Sequence, residues 1–305
     1  MLPPPDPATF RAPVVTIRPM FAPPRPPAPT LPVRAAVGAI AVLTVSLIAS
    51  KVVLDALLDF EWPLLVYVVI LATIGYGPSV VWCRYVSRHW GTGALATDIG
   101  LEPRWSDLGW GPLIWLAALG AQIAIAALVV GLGVPISNNT DGITDLQTNR
   151  TYVVSIVITA VIAAPIVEEM VFRGVVLRGL RSRMGAVSAI VLQGVLFGCA
   201  HLDPVRGRGN LGLVMVLSGV GIAFGAGAVL LRRIGPTIVA HAIFNGVVLL
   251  IVLTGVADRL QDTDASAAGS VREQRAVVDQ AHVTEEGGGR HAHSIGWERV
   301  EVGHR

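Results

Sequence analysis

Long apolar blocks separated by short polar connections dominate this chain. Seven of these blocks are long enough to cross a bilayer, which takes about 20 residues at a rise of 1.5 Å each. They lack the alternation of apolar and polar positions typical of barrel strands, and only helices then satisfy the backbone inside lipid. The pattern predicts an all-α fold, a polytopic transmembrane bundle of about seven to eight spans. The seven predicted spans are residues 34–58, 64–83, 112–134, 151–180, 186–201, 211–231 and 236–255.

The two ends of the chain differ from this apolar middle. Residues 1–33 contain twelve prolines, which predicts an extended, disordered N-terminal tail. Residues 257–305 are polar and show no periodic apolar face, so we expect a disordered C-terminal tail there. The transmembrane domain is therefore predicted over residues 34–256. The connection at 89–111 mixes Trp, Gly and charged residues, and we expect a short amphipathic segment at the membrane surface.

Composition and charge support a membrane location. The chain is 53% hydrophobic and only 14% charged, with a formal net charge of +2, whereas soluble domains average about 25% charged residues. The basic residues are scattered singly around apolar blocks, which excludes a nucleic-acid-binding face. They comprise 22 arginines and one lysine amid much Ala, Val and Gly, a bias that points to a bacterial source.

Arginine placement predicts the orientation of the spans, because loops on the cytoplasmic side are enriched in Lys and Arg. The arginines before the first span and after the second, fourth and sixth spans place those ends in the cytoplasm. We therefore expect a multi-pass protein of the bacterial inner membrane with a cytoplasmic N-terminus. Arg206 and Arg208 lie on the opposite side and count against this scheme. The supporting arginines are 11, 18, 25, 34, 84, 88, 104, 178, 181, 183, 232 and 233.

Three charges interrupt the fourth apolar block, in the stretch APIVEEMVFRG. Glu169 and Arg173 are four residues apart, the separation at which helical side chains meet, so we expect them to neutralise each other. Glu168 points about 100° away around the helix and lacks that partner. Pro165 has no N–H to donate, so the helix should bend there and leave a carbonyl one turn back unpaired. A charge inside the membrane costs at least about 2.5 kcal/mol and usually marks a functional site.

Other polar groups in the later blocks are candidates to meet Glu168. His201 ends the fifth block, and His241 and Asn245 project from one face of the last helix. Counted from the nearest cytoplasmic turns in the chain, the depths are ~20 Å for Glu168, ~24 Å for His201, ~12 Å for His241 and ~18 Å for Asn245. These side chains can therefore converge within the bilayer if the helices tilt differently.

These residues resemble the three motifs of the CPBP family, which unites type II CAAX prenyl endopeptidases with Abi and bacteriocin-immunity proteins. The motif EExxxR appears at Glu168, Glu169 and Arg173. The motif FxxxH appears at Phe197 and His201, and the motif HxxxN at His241 and Asn245. All three occur in the family's order, each in its own apolar block, and the resemblance covers a protease core at about 151–255.

The resemblance implies an intramembrane endopeptidase that cuts near the C-terminus of its substrates. Glu168 would be the general base that activates a water molecule, and His201 would hold or polarise that water. His241 and Asn245 would stabilise the oxyanion. Glu169 and Arg173 would lock the helix that presents Glu168, and Phe197 would form an apolar wall or pack.

The cofactor and the partners follow from the same resemblance. The family's mechanism requires no metal, although its members are often labelled metalloproteases. Glu168, His201 and His241 would be the ligands if zinc were bound, since two His and a Glu form a plausible catalytic set. We expect a membrane-associated peptide or protein as substrate, the lipid bilayer as surroundings, and no nucleic acid.

Two further interpretations concern binding rather than catalysis. The alternative function is a non-catalytic immunity or scaffold protein that captures a peptide through the same polar cluster. Gly221 and Gly225 form a GxxxG pattern, which favours close helix packing within the bundle, with dimerisation as the alternative.

Overall fold

The structure is a computed structural model that describes residues 31–57, 60–136, 150–202 and 209–256. The four helices of the first half are α1 (Val33–Leu57), α2 (Leu64–Trp90), α3 (Leu95–Ile99) and α4 (Asp107–Gly131). The predicted tails lie outside the described residues, except for residues 31–33. Leu31 is fully buried, so packing begins before the predicted boundary at residue 34.

The fourth predicted span is one continuous helical segment whose winding changes along its length. It consists of α5 (Arg150–Val157), a π-helical turn named π1 (Ile158–Ala163), α6 (Ala164–Glu169), a second π-helical turn named π2 (Met170–Val176) and α7 (Leu177–Leu180). Single π turns inside α-helices are frequent at functional sites. Glu168 and Glu169 end α6, so both glutamates lie between the two widened turns.

The remaining helices are α8 (Ala186–Cys199), α9 (Gly209–Leu231) and α10 (Gly235–Thr254). All described secondary structure is helical, and six helical segments are long and apolar enough to span a membrane. The predicted fold class, a polytopic helical bundle, is confirmed. Among the helices that correspond to predicted spans, only α8 is short: its 14 residues extend ~21 Å, less than the hydrocarbon core of about 30 Å.

The bundle surrounds the segment that carries the two glutamates. In the described part of the chain, α1 packs against α2, α8 packs against α9, and α4 packs against both α9 and α10. The segment 150–180 contacts α1, α2, α8 and α10, and every residue from Met170 to Leu177 is buried. Neighbouring helices therefore shield this charged segment from the lipid.

Close packing of α8 against α9 depends on glycines. A Cβ atom added at Gly221 would lie 2.9 Å from the Cα atom and from the carbonyl oxygen of Gly194. Real Cβ atoms do not approach backbone that closely, so both positions need the absence of a side chain. The GxxxG pattern thus serves packing within the bundle, as predicted.

The connection between α2 and α4 folds inward more than its sequence predicts. Asp98 and Ile99 in α3 are fully buried, and Ile99 packs against Gly174 in π2. Asp98 accepts hydrogen bonds from Ser87 Oγ at 2.5 Å and from Thr92 N at 2.9 Å. The expected amphipathic surface segment is therefore partly a buried cap over the end of π2.

A buried ion pair fastens the start of α10 beside this cap. Arg233 Nε donates to Asp107 Oδ1 at 2.9 Å, and Arg233 Nη2 donates to Ser106 Oγ at 3.0 Å. The backbone N–H of Ile234 donates to Gly100 O at 2.9 Å. These contacts hold the helix that carries His241 against the start of α4.

Candidate functional site

The predicted pair of Glu169 and Arg173 forms a buried salt bridge. Arg173 Nη1 lies 2.8 Å from Glu169 Oε1, and both side chains are 0% exposed. Arg173 Nη2 also donates to the carbonyl oxygen of Gly221 at 3.1 Å. This bond is possible because α9 lies close to π2 at Gly221. Glu169 thus neutralises the charge of Arg173 within the same helical segment. The hydrogen bond to Gly221 attaches the Arg173 side chain to α9.

Aromatic rings surround the Arg173 guanidinium. Its Cζ atom lies 4.6 Å from the ring centroid of Phe197 and 5.3 Å from that of Phe224. A cation over an aromatic face is attracted by the ring quadrupole, most strongly where water is excluded. Phe197 therefore packs against a buried cation and stabilises it.

His241 joins the last helix to this ion pair. Its Nδ1 lies 3.0 Å from Glu169 Oε1, the same carboxylate oxygen that Arg173 contacts. Because Nδ1–H donates to this carboxylate, a neutral ring presents Nε2 as its acceptor. Glu169 therefore orients the His241 imidazole in addition to locking its own helix, a contact that sequence reasoning missed.

Glu168 has a carboxylate oxygen that no group uses. Within the described part of the structure, Glu168 Oε2 is buried and makes no hydrogen bond, as is also true of Oε2 in the ion-paired Glu169. His241 Nε2 lies 3.9 Å from Glu168 Oε2, and the Glu168 side chain is 17% exposed. This separation exceeds a direct hydrogen bond, so the two groups face each other across a narrow gap.

His201 lies at the end of α8 and contacts the cluster through Phe197. Its Nδ1 donates to the carbonyl oxygen of Phe197 at 2.9 Å, and the two ring centroids are 5.0 Å apart. The Phe197 ring also lies 5.8 Å from that of His241. Among the contacts of the described residues, no hydrogen bond or ion pair joins His201 to Glu168 or to His241.

Asn245 lies one turn beyond His241 and bonds elsewhere. Its Nδ2 donates to the carbonyl oxygen of Ala160 in π1 at 2.8 Å, and its side chain is partly buried. The structure thus gathers Glu168, Glu169 and His241 closely, whereas Asn245 lies at the periphery of the cluster.

The residues predicted as zinc ligands do not form a compact set. Within the described ranges, no three His, Cys, Asp or Glu side chains are grouped so that they could hold a metal ion. His241 uses Nδ1 toward Glu169 and His201 uses Nδ1 toward Phe197 O, which would leave Nε2 as the metal-binding nitrogen of each ring. The ligand atoms are nevertheless not gathered in the described residues, so this arrangement does not fit a three-residue zinc site.

Sequence reasoning also missed supporting residues on the neighbouring helices. Gln193 is fully buried and donates from Nε2 to Gly221 O at 2.7 Å, so it shares that acceptor with Arg173. Tyr76 in α2 packs against the buried cluster that includes Phe172 and Phe197. A polar residue inside an apolar block was the available signal for Gln193, whereas Tyr76 has no distinguishing spacing.

Comparisons with known proteins agree with the motifs. Residues 150–247 match the family model described as Type II CAAX prenyl endopeptidase Rce1-like. A stretch of 164 residues is 28% identical to the "Putative membrane peptidase YdiL" of Bacillus subtilis (strain 168), covering 54% of this chain and 62% of that protein. The chain therefore spans less than two thirds of that relative's length. No solved structure matches the chain at a comparable level.

The matched region includes every residue of the polar cluster. It begins at α5 and ends two residues after Asn245, so it contains all three motifs that carry the predicted resemblance. That resemblance is confirmed, and residues 150–247 of this multi-pass membrane protein are similar to the Rce1-like family.

Proposed function

We propose that this protein is an intramembrane endopeptidase that hydrolyses a peptide bond of a membrane-associated protein or peptide. The observation that carries the proposal is the state of Glu168. Its Oε2 atom is buried, has no hydrogen-bond partner among the described residues and faces His241 Nε2 at 3.9 Å. A buried acid beside an oriented imidazole is a typical pairing for general acid–base chemistry.

The reaction uses Glu168 as general base and then as general acid. Glu168 takes a proton from water, and the resulting hydroxide adds to the substrate carbonyl carbon. The tetrahedral intermediate then collapses, the C–N bond breaks, and the proton passes from Glu168 to the leaving amine. His201 holds or polarises the attacking water.

The oxyanion is stabilised by donors on α10. The Glu169 carboxylate at Nδ1 of His241 stabilises a doubly protonated ring, whose Nε2–H donates to the developing negative charge. Asn245 contributes the amide hydrogen that Ala160 O does not use. Loss of one oxyanion donor typically costs about 2.7–4 kcal/mol of transition-state stabilisation.

The proposal also covers the substrate and the location of the enzyme. The substrate is a membrane-associated or lipid-modified chain cut near its C-terminus, and the enzyme resides in a bacterial inner membrane with its N-terminus in the cytoplasm. The mechanism requires no metal, so EDTA should leave the rate unchanged. If zinc is required, EDTA abolishes cleavage and added Zn²⁺ restores it.

Comparison of the peptides released from membranes tests the proposal. Cells carrying the wild-type protein should release fragments that are missing from cells carrying Glu168→Gln, which keeps the size of the side chain but removes the base. The matched control is Glu61→Gln, the same change at an exposed position, and its fragments should equal those of wild type. His201→Ala and His241→Ala should also abolish cleavage while the protein still inserts.

Two results would reject the proposed function. One is a Glu168, His201 and His241 triple variant that cleaves an identified substrate at the wild-type rate. The other is a peptide partner that binds wild type and Glu168→Gln equally while neither protein cleaves it. The second result would favour the non-catalytic immunity or scaffold function.

A further inference from the structure

The π turn before Pro165 leaves one backbone carbonyl without a backbone donor. In π1 the N–H of Ala164 donates to Thr159 O, a spacing of five residues. The same spacing would pair residue 165 with Ala160 O, but proline has no N–H. Asn245 Nδ2 donates to that oxygen instead, at 2.8 Å.

This carbonyl needs a donor because of where it lies. π1 belongs to a segment long and apolar enough to cross the membrane, and the hydrocarbon region offers no water to an unpaired backbone group. Leaving a peptide carbonyl oxygen unpaired is costly in hydrocarbon. The Asn245 carboxamide thus occupies the place of the missing N–H.

The same face of α10 fastens the glutamate segment at a second point. His241, one turn before Asn245, bonds to Glu169 at the end of α6. The two bonds bracket Pro165, since Ala160 precedes it and Glu169 follows it. Together they fix the position and the rotation of α6 relative to α10. They therefore determine where Glu168 lies relative to His241 Nε2.

We propose that Asn245 is a positioning residue that replaces the backbone donor missing at Pro165 and thereby holds Glu168 opposite His241. The replacement of the hydrogen bond is independent of any activity. The positioning of Glu168 rests on the proposed function, so the two parts are measured separately.

A double-mutant cycle on the full-length protein in detergent tests the first part. Asn245→Leu removes the donor and should lower the midpoint of thermal unfolding by about 3 °C, the effect of one lost hydrogen bond in a chain of this size. In a Pro165→Ala background, residue 165 regains an N–H that can reach Ala160 O. There the same Asn245→Leu change should lower the midpoint by no more than about 1 °C.

A matched control uses another side-chain donor on α10. Thr254 Oγ1 donates to Leu250 O at 2.7 Å, and this carbonyl has no proline-related defect. Thr254→Val should therefore have the same effect in both backgrounds. The proposal would be overturned if Asn245→Leu lowered the unfolding midpoint equally with and without the Pro165→Ala change. If Asn245→Leu does not fold, Asn245→Ser is carried through the same cycle.

Cleavage kinetics on a substrate found in the membrane comparison test the positioning part. Asn245→Leu should lower kcat more than it raises KM, and this loss of kcat should be about fivefold smaller in the Pro165→Ala background. If Asn245 acted only as an oxyanion donor, Asn245→Leu would lower kcat by the same factor in both backgrounds. That result would overturn the positioning role. If no peptide is cleaved, the proposed function fails, and the unfolding cycle decides the hydrogen-bond replacement by itself.

Discussion

His241 Nδ1 lies 3.0 Å from Glu169 Oε1, and this contact joins two helices through residues that are 72 positions apart in the chain. The same oxygen binds Arg173 at 2.8 Å. One carboxylate therefore serves a cation on its own helix and an imidazole on another. The site depends on this shared oxygen, because it sets the direction in which His241 Nε2 faces Glu168.

Glu169→Gln should slow cleavage by at least about tenfold, because an amide no longer stabilises the positive charge on His241 during the reaction. Gln can still accept a hydrogen bond from Nδ1, so KM should change little. Steady-state kinetics of the purified variant measure both quantities. An unchanged kcat would show that the charge of Glu169 plays no part in catalysis.

Arg173→Met should lower the free energy of unfolding by about 3–5 kcal/mol, because it leaves the buried Glu169 without its cation. The exposed pair of Arg104 and Glu102, with side chains 53% and 33% exposed, supplies the comparison. Arg104→Met should cost no more than about 1 kcal/mol. Denaturant unfolding in detergent compares the two, and similar costs would contradict the structural role of the buried pair.

Gly221→Ala should destabilise the protein by about 1–3 kcal/mol, since the new methyl group overlaps the backbone of Gly194 in α8. The matched control is Gly120→Ala in α4, where an added Cβ meets nothing within 4 Å. That change should be neutral or stabilise the helix by up to about 1 kcal/mol. Thermal unfolding of both variants measures the difference, and equal effects would refute the close packing of α8 on α9.

Asp98 should make stability depend on pH in the acid range. Burial tends to raise the pKa of this carboxyl, but hydrogen bonds from Ser87 and Thr92 outweigh it and hold the pKa below its ordinary value. The folded pKa is thus below the unfolded value of about 3.9. The stabilisation is therefore fully present above that value and is lost as the pH falls through the folded pKa.

Asp98→Asn measures this contribution. At neutral pH it should cost about 1.5–3 kcal/mol, because the charged acceptor of a buried network is removed. The difference from wild type should shrink as the pH falls below about 4. Glu61→Gln, at an exposed acid, should match wild type throughout. A constant difference across this pH range would contradict the charged state of Asp98 in the folded protein.

The sequence by itself determined the features that depend on neighbours along the chain. Apolar block length predicted the spans, because the thickness of the bilayer sets the length of a helix that crosses it. The four-residue spacing of Glu169 and Arg173 predicted their ion pair, because helical geometry brings such side chains together. Pro165 likewise predicted an unpaired carbonyl, since a missing N–H is a local property.

Only the tertiary structure decided which groups on different helices meet. The sequence placed His201, His241 and Asn245 at compatible depths, but depth does not fix the direction of a side chain or the tilt of its helix. The pairing of His241 with Glu169, the donation of Asn245 to Ala160 and the position of Phe197 between two imidazoles arise from helix packing. That packing is set by volumes and close approaches such as Gly194 against Gly221, which depend on residues distant in sequence.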